Sequence, residues 1–211
     1  MSRAGVTRRG VVELCRYRRW WVLLLMLLVP VLTLASAAAT EAATLRVNTT
    51  KDEIGGGKCS LREAIDTVNW PRTRTSCGTA DTFSNLIVLG AKTDQLSIPP
   101  TAMDTDQNCI APTGTVPDQN ASGDLCVTSN AGLTITGQGP TTIIEGLPSL
   151  TDRLMTIAPQ ASVSLVQLTL EGGHAPDGAT NTLPICPTSD NGANGGAIYN
   201  TGRLFTMAVT F

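Results

Sequence analysis

The sequence predicts an all-β solenoid closed at its N-terminal end by a short capping helix, and three observations carry that prediction. Beyond residue 80 the apolar segments are short, alternate with polar residues and are nearly all separated by Gly, Pro or Asn. Some of them recur. Residues 162–170 align with 203–211 at an offset of 41, and residues 142–146 echo 168–172 at an offset of 26. Unequal offsets fit a common strand unit carrying inserts of different length, which stacked repeats tolerate. Composition agrees: aromatics make up 4% of the chain against 20 glycines, which suits stacked strands with tight corners better than a helical bundle. A β-sandwich is the alternative arrangement of the same segments.

Residues 1–39 read as an export signal. Arg8, Arg9, Arg16, Arg18 and Arg19 precede an apolar run over 20–34, and Ala35-Ser36-Ala37-Ala38-Ala39 follows with small residues. The run is short for a spanning helix, which needs about 20 apolar residues. Cleavage near Ala37 or Ala39 is expected, with an uncleaved anchor as the alternative. From Thr40 onward sixteen acidic residues face nine basic ones, a formal charge of −7. No basic stripe remains, so nucleic acid and anionic membrane surfaces are poor partners.

The helix is predicted over 60–70. Ser60 and Glu63 form an S-x-x-E capping box, in which the Ser hydroxyl accepts from the N–H of residue 63 and the Glu carboxylate reaches back to the N–H of residue 60. Leu61, Ile65 and Val68 then line one face, and Pro71 stops the helix. The first unit of a solenoid exposes strand edges and an apolar interior that need covering. This helix suits that task, with Trp70 and a Cys59–Cys77 bridge fixing its ends. Arg62 and Glu63 are therefore read as structural.

The remaining segments lie at 86–89, 133–135, 142–144, 154–157, 163–165, 168–170, 197–199 and 204–207, with polar inserts at 99–124 and 174–194. Five cysteines lie beyond the signal, and in an exported chain they are read as disulfides. Nearness in sequence pairs Cys59 with Cys77 and Cys109 with Cys126, leaving Cys186 over.

Lys58-Cys59-Ser60-Leu61-Arg62-Glu63-Ala64-Ile65 resembles the CSLREA domain, which opens many secreted bacterial proteins built as right-handed parallel β-helices. Gly123-Asp124-Leu125, followed by Leu133-Thr134-Ile135-Thr136-Gly137-Gln138-Gly139 and Thr142-Ile143-Ile144-Glu145-Gly146, looks like the next block of such proteins. Gly195-Gly196-Ala197-Ile198-Tyr199-Asn200 is similar to the GGAI-type units of bacterial surface β-helices, including chlamydial polymorphic outer-membrane proteins. Gly195 and Gly196 permit a tight corner between strands. The resemblance covers 44–211. It implies a right-handed, pectin-lyase-like parallel β-helix that is secreted or held at the bacterial cell surface. The expected organisation is a signal at 1–39, a CSLREA capping region at 40–98, an inserted loop at 99–124 and β-helix units at 125–211. Proteins of this type continue through further units, so a C-terminally truncated fragment is expected.

Few residues point to chemistry. Glu145 and Glu171 fall at equivalent places in the offset-26 alignment, and glycoside hydrolysis needs two carboxylates about 5–9.5 Å apart; solvated turn residues are the simpler reading. A lyase needs a Lys or Arg base beside an acidic calcium cluster, and Arg153 and Arg203 stand alone in the sequence. Asp118, Asn120, Ser122 and Gly123 open like a calcium loop, but position twelve is Ser129. Asp104, Asp106 and Asn108 meet Cys109 where glycine belongs. His174, the single histidine, reads as an exposed turn residue with no triad or zinc partners. Gly55-Gly56-Gly57-Lys58 lacks the spacing of a phosphate loop. No catalytic, metal or cofactor residue is assigned. The function expected is an exported structural or adhesin-like binding module directed at extracellular carbohydrate or protein surfaces. A polysaccharide hydrolase or lyase is the alternative, and membrane contact is expected only through an uncleaved signal or a C-terminal anchor.

Overall fold

The computed structural model describes residues 41–71, 75–101, 120–175 and 196–211, and the compact unit they form spans Ala42–Phe211. Among these residues ten strands and one helix follow in the order β1 (Ala43–Arg46), α1 (Leu61–Asn69), β2 (Ser84–Val88), β3 (Thr93–Leu96), β4 (Leu125–Val127), β5 (Gly132–Thr136), β6 (Ile143–Gly146), β7 (Met155–Ile157), β8 (Ser162–Glu171), β9 (Ile198–Asn200) and β10 (Arg203–Thr210). Every pairing between these strands is parallel. The larger sheet runs β1-β2-β5-β8-β6-β3, with β10 alongside β8, and the smaller runs β4-β7-β9.

The register is the one the internal alignments predict. Val163 pairs with Leu204 and Leu168 with Val209, the offset of 41. Ile144 pairs with Leu170 and Glu145 with Glu171, the offset of 26. The apolar pairs point inward and the Glu145–Glu171 pair outward, because sheet faces alternate with period two and a one-residue slip would turn Leu170 to solvent.

The fold class is a correction. An all-β, right-handed parallel β-helix was expected; the structure is mixed, 7% helical and 39% strand, and its larger sheet is a curled parallel half-barrel. The physical cause of the curl lies in the ten-residue β8. Its first half pairs with β5 up to Val166, and its second half pairs with β6 from Thr169. Between them Gln167 sits in the left-handed region with φ 53° and takes no part in the ladder. That extra residue bends the strand and restores the inward phase, so Leu165 and Leu168 are both buried. β10 repeats the device at Ala208, φ 54°. One continuous sheet therefore turns a corner through its own strands.

Leu45, Ile87, Ile135, Leu165 and Leu168 from the larger sheet share a core with Leu125, Val127, Met155 and Ile157 from the smaller. Helix α1 adds Leu61, Ile65 and Val68, all 3% exposed or less, as the amphipathic pattern requires. Burying three such side chains contributes roughly 1.5–3 kcal/mol each. The tight corners place their demand differently from expectation. A Cβ on Gly173 would stand 2.4 Å from the Gly196 carbonyl oxygen, whereas one on Gly196 would meet nothing closer than 3.7 Å. Gly195 lies outside the described residues.

Candidate functional site

The motif around α1 is spent on structure, residue by residue. Cys59 is disulfide-bonded to Cys77 across a sequence separation of 18. Ser60 caps the helix, its hydroxyl accepting from the Glu63 N–H at 3.0 Å and donating to the Glu53 carbonyl. The second half of the expected capping box does not form. The Glu63 carboxylate instead accepts from the Ser76 N–H at 3.0 Å, so it holds the disulfide-bearing turn against the helix, and its other oxygen is buried with no partner. Leu61, Ala64 and Ile65 are core.

Arg62 is the hub. Its side chain is 0% exposed and grips Asp52 through two bonds, Nε to Oδ1 at 2.5 Å and Nη2 to Oδ2 at 2.9 Å. The remaining N–H groups donate to the carbonyls of Asn120, Ser122, Gly123 and Asp124 at 2.8–3.4 Å. Gly123, at φ 63°, lets that turn wrap the guanidinium. This answers the calcium-loop reading of Asn120, Ser122 and Gly123: the cation their carbonyls surround is Arg62. Asp118, Asp104, Asp106, Asn108 and Cys109 lie outside the described residues. Cys126 is disulfide-bonded. Since Cys59 and Cys77 are joined to each other, its partner also lies outside them.

A second cluster occupies the outer side of the smaller sheet, and sequence reasoning missed it. Asp124 accepts a hydrogen bond from the Thr156 hydroxyl. Its carboxyl is pushed up to about 6, chiefly by burial and further by Asp152, with the Thr156 bond and the charges of Arg153 and Arg62 opposing. Asp152, 2% exposed, accepts from the N–H groups of Arg153 and Asp124. Arg153 was read as isolated, yet its Nη1 lies 3.8 Å from Asp152 Oδ1 and its guanidinium sits 5.1 Å from the Tyr199 ring centroid. These contacts tie β4, β7 and β9 together. Within the adjoining Asp152–Arg153 dipeptide the one useful signal was a charged pair directly before an apolar strand.

Glu145 and Glu171 are indeed opposite one another in the ladder, but on its outer face, where Gln95 Nε2 reaches Glu145 at 3.4 Å. His174 is exposed, and its backbone N–H, not its ring, is bonded, to the Asp152 carbonyl. Arg203 is exposed at the start of β10. Among the described residues no three His, Cys, Asp or Glu side chains converge as a metal site. No described helix is long and apolar enough to cross a membrane.

An open groove of about 480 Å³ lies beside the end of α1. Trp70, the C-cap residue, forms one wall and is 42% exposed rather than buried as an anchor. Thr82, Ser129, Asn130 and Gln160 complete the walls from three separate turns. Asn69 ties the helix end to one of them: its Nδ2 donates to the Cys126 carbonyl at 2.7 Å, and its Oδ1 accepts from Thr128 N and Ser129 N at 2.9 and 3.2 Å. Comparison with known protein families, with curated proteins and with solved structures found no match.

Proposed function

We propose that this chain is an exported, secreted or cell-surface binding module of CSLREA type that adheres to extracellular carbohydrate or protein. The observation that carries the reading is the Trp70 groove, a concave surface with an exposed aromatic. The charged groups capable of chemistry support it by their engagement elsewhere. Arg62, Asp52, Asp124, Asp152 and Arg153 are each bonded within the fold. Glycoside hydrolysis needs an acid and a second carboxylate flanking a substrate path, and no described groove residue is acidic. The export signal and the acidic mature chain fit an extracellular surface partner.

The test is a depletion assay of the full chain on insoluble polysaccharides and on immobilised matrix proteins, run beside an assay for released reducing ends. Saturable retention without product is the expected result. Product release would favour the hydrolase or lyase reading, and absence of retention on every surface would sink the binding module.

A further inference from the structure

We infer that the Trp70 groove is a subsite for a neutral carbohydrate, with one pyranose ring laid flat on the indole; this deepens the binding-module reading and rests on it. The axial C–H groups of a sugar ring form an apolar patch that matches an aromatic face, and a Trp gives the largest such face. Around that patch a sugar carries hydroxyls that both donate and accept, so its site needs unspent polar groups of both kinds. The groove has them. The Thr82 hydroxyl and the Asn130 amide are engaged by no other described residue. Gln160 uses its Nε2 on the Thr128 carbonyl at 3.1 Å, which leaves Oε1 as an acceptor. Ser129 Oγ accepts from Ala131 N at 3.1 Å, which leaves its proton to donate.

Charge decides the ligand class. Among the described residues no charged side chain lines this groove, and the chain from Thr40 onward carries a formal −7. A uronate, a sialoside, a sulfated glycan or a phosphate would find no cation among the described lining residues and would be opposed by the net negative charge of the chain. A neutral ligand meets neither penalty. The volume falls within the roughly 300–1,000 Å³ of ordinary ligand sites. Asn69 holds the Thr128–Ser129 wall against the helix end before any ligand arrives, which lowers the ordering cost of binding there.

Titration of the full chain with cellotetraose, maltotetraose, chitotetraose and oligogalacturonate, read by calorimetry and by tryptophan fluorescence, tests this. The Trp70→Phe difference spectrum isolates Trp70 from Trp20 and Trp21. At least one neutral tetrasaccharide should bind saturably and perturb Trp70, with oligogalacturonate weaker than any that binds. Trp70→Ala should weaken binding roughly tenfold or more, Trp70→Phe should restore most of it, and Asn130→Ala should cost several-fold. If Trp70→Ala does not fold, Thr82→Ala and Asn130→Ala, both on turns, take its place. No binding by any of the three neutral probes, or binding that ignores these variants, overturns the inference. Retention on a surface that these sugars do not compete would leave the binding module standing and this ligand class refuted.

Discussion

Arg62 and Asp52 meet fork to fork with both side chains 0% exposed, one ion pair joining the segment before the helix to the helix itself. Asp52 also accepts from the N–H groups of Ser97 and Ile98 at 2.8 and 2.9 Å, so four strands of chain converge on two side chains. Arg62→Ala should destabilise the fold by about 3–5 kcal/mol, because it strands a buried carboxylate. Arg62→Lys should recover only part of that, since an ammonium has three donors and no planar fork for the six partner atoms. Urea unfolding of both variants measures it; a loss below about 1 kcal/mol for Arg62→Ala would mean water reaches Asp52 easily.

Removing the Cys59–Cys77 bridge as a double Ser variant should cost about 3 kcal/mol on the chain-entropy account for a loop of this size. Non-reducing peptide mapping of the oxidised protein should recover this bridge together with Cys109–Cys126. A Cys126–Cys186 peptide would refute the second pairing.

Two neighbouring glycines should behave oppositely. Gly173→Ala places a Cβ 2.4 Å from a backbone oxygen and should cost at least about 2 kcal/mol, as overpacking against main chain does. Gly196→Ala has ordinary space and should stay within about 1 kcal/mol. Thermal melts of the two variants side by side make the comparison.

Stability should fall as pH rises from about 4 to about 7. Asp94, 4% exposed on β3, has one oxygen without a partner; burial pushes its carboxyl up to about 7 against the pull of Lys92. Asp124 follows at about 6. Unfolded carboxyls titrate near 3.9, so within this window the folded chain keeps protons that the unfolded chain has released. Asp94 contributes at most about 4 kcal/mol to the change. Asp94→Asn should flatten the slope and raise stability at pH 8, as read from melting temperature against pH; an unchanged slope would place Asp94 in contact with solvent.

Local signals in the sequence were strong where a pattern repeats. Eight of the alternating segments are strands, with 163–165 and 168–170 joined in β8, and the paired register of Leu168 and Val209 was legible from self-similarity alone. The strands β1, β3 and β4 were not, because Ala43–Arg46, Thr93–Leu96 and Leu125–Val127 are short and β3 carries Asp94 at an inward place where a period-two pattern expects an apolar residue. The curl was hidden too: Gln167 has no chemical mark of a left-handed residue, and nothing local distinguishes a strand that turns a corner from two strands with a break. At the candidate site the motif showed its cap but not its hub. Asp52 lies ten residues before Arg62, and the carbonyl partners of Arg62 lie 58–62 residues beyond it, in a turn whose acidic and amide side chains suggested calcium. The groove gave no signal because it is assembled from three turns.

One depletion experiment decides whether this molecule binds through the Trp70 groove without turning over what it binds. Wild-type and Trp70→Ala chains are equilibrated with the insoluble polysaccharide that retains the wild type, and bound protein and released reducing ends are measured together. Saturable retention of the wild type is expected, with retention lost roughly tenfold in Trp70→Ala and no product from either. Product released by both chains and abolished by Asp124→Asn would contradict it, moving the working site from the groove to the buried acids of the smaller sheet.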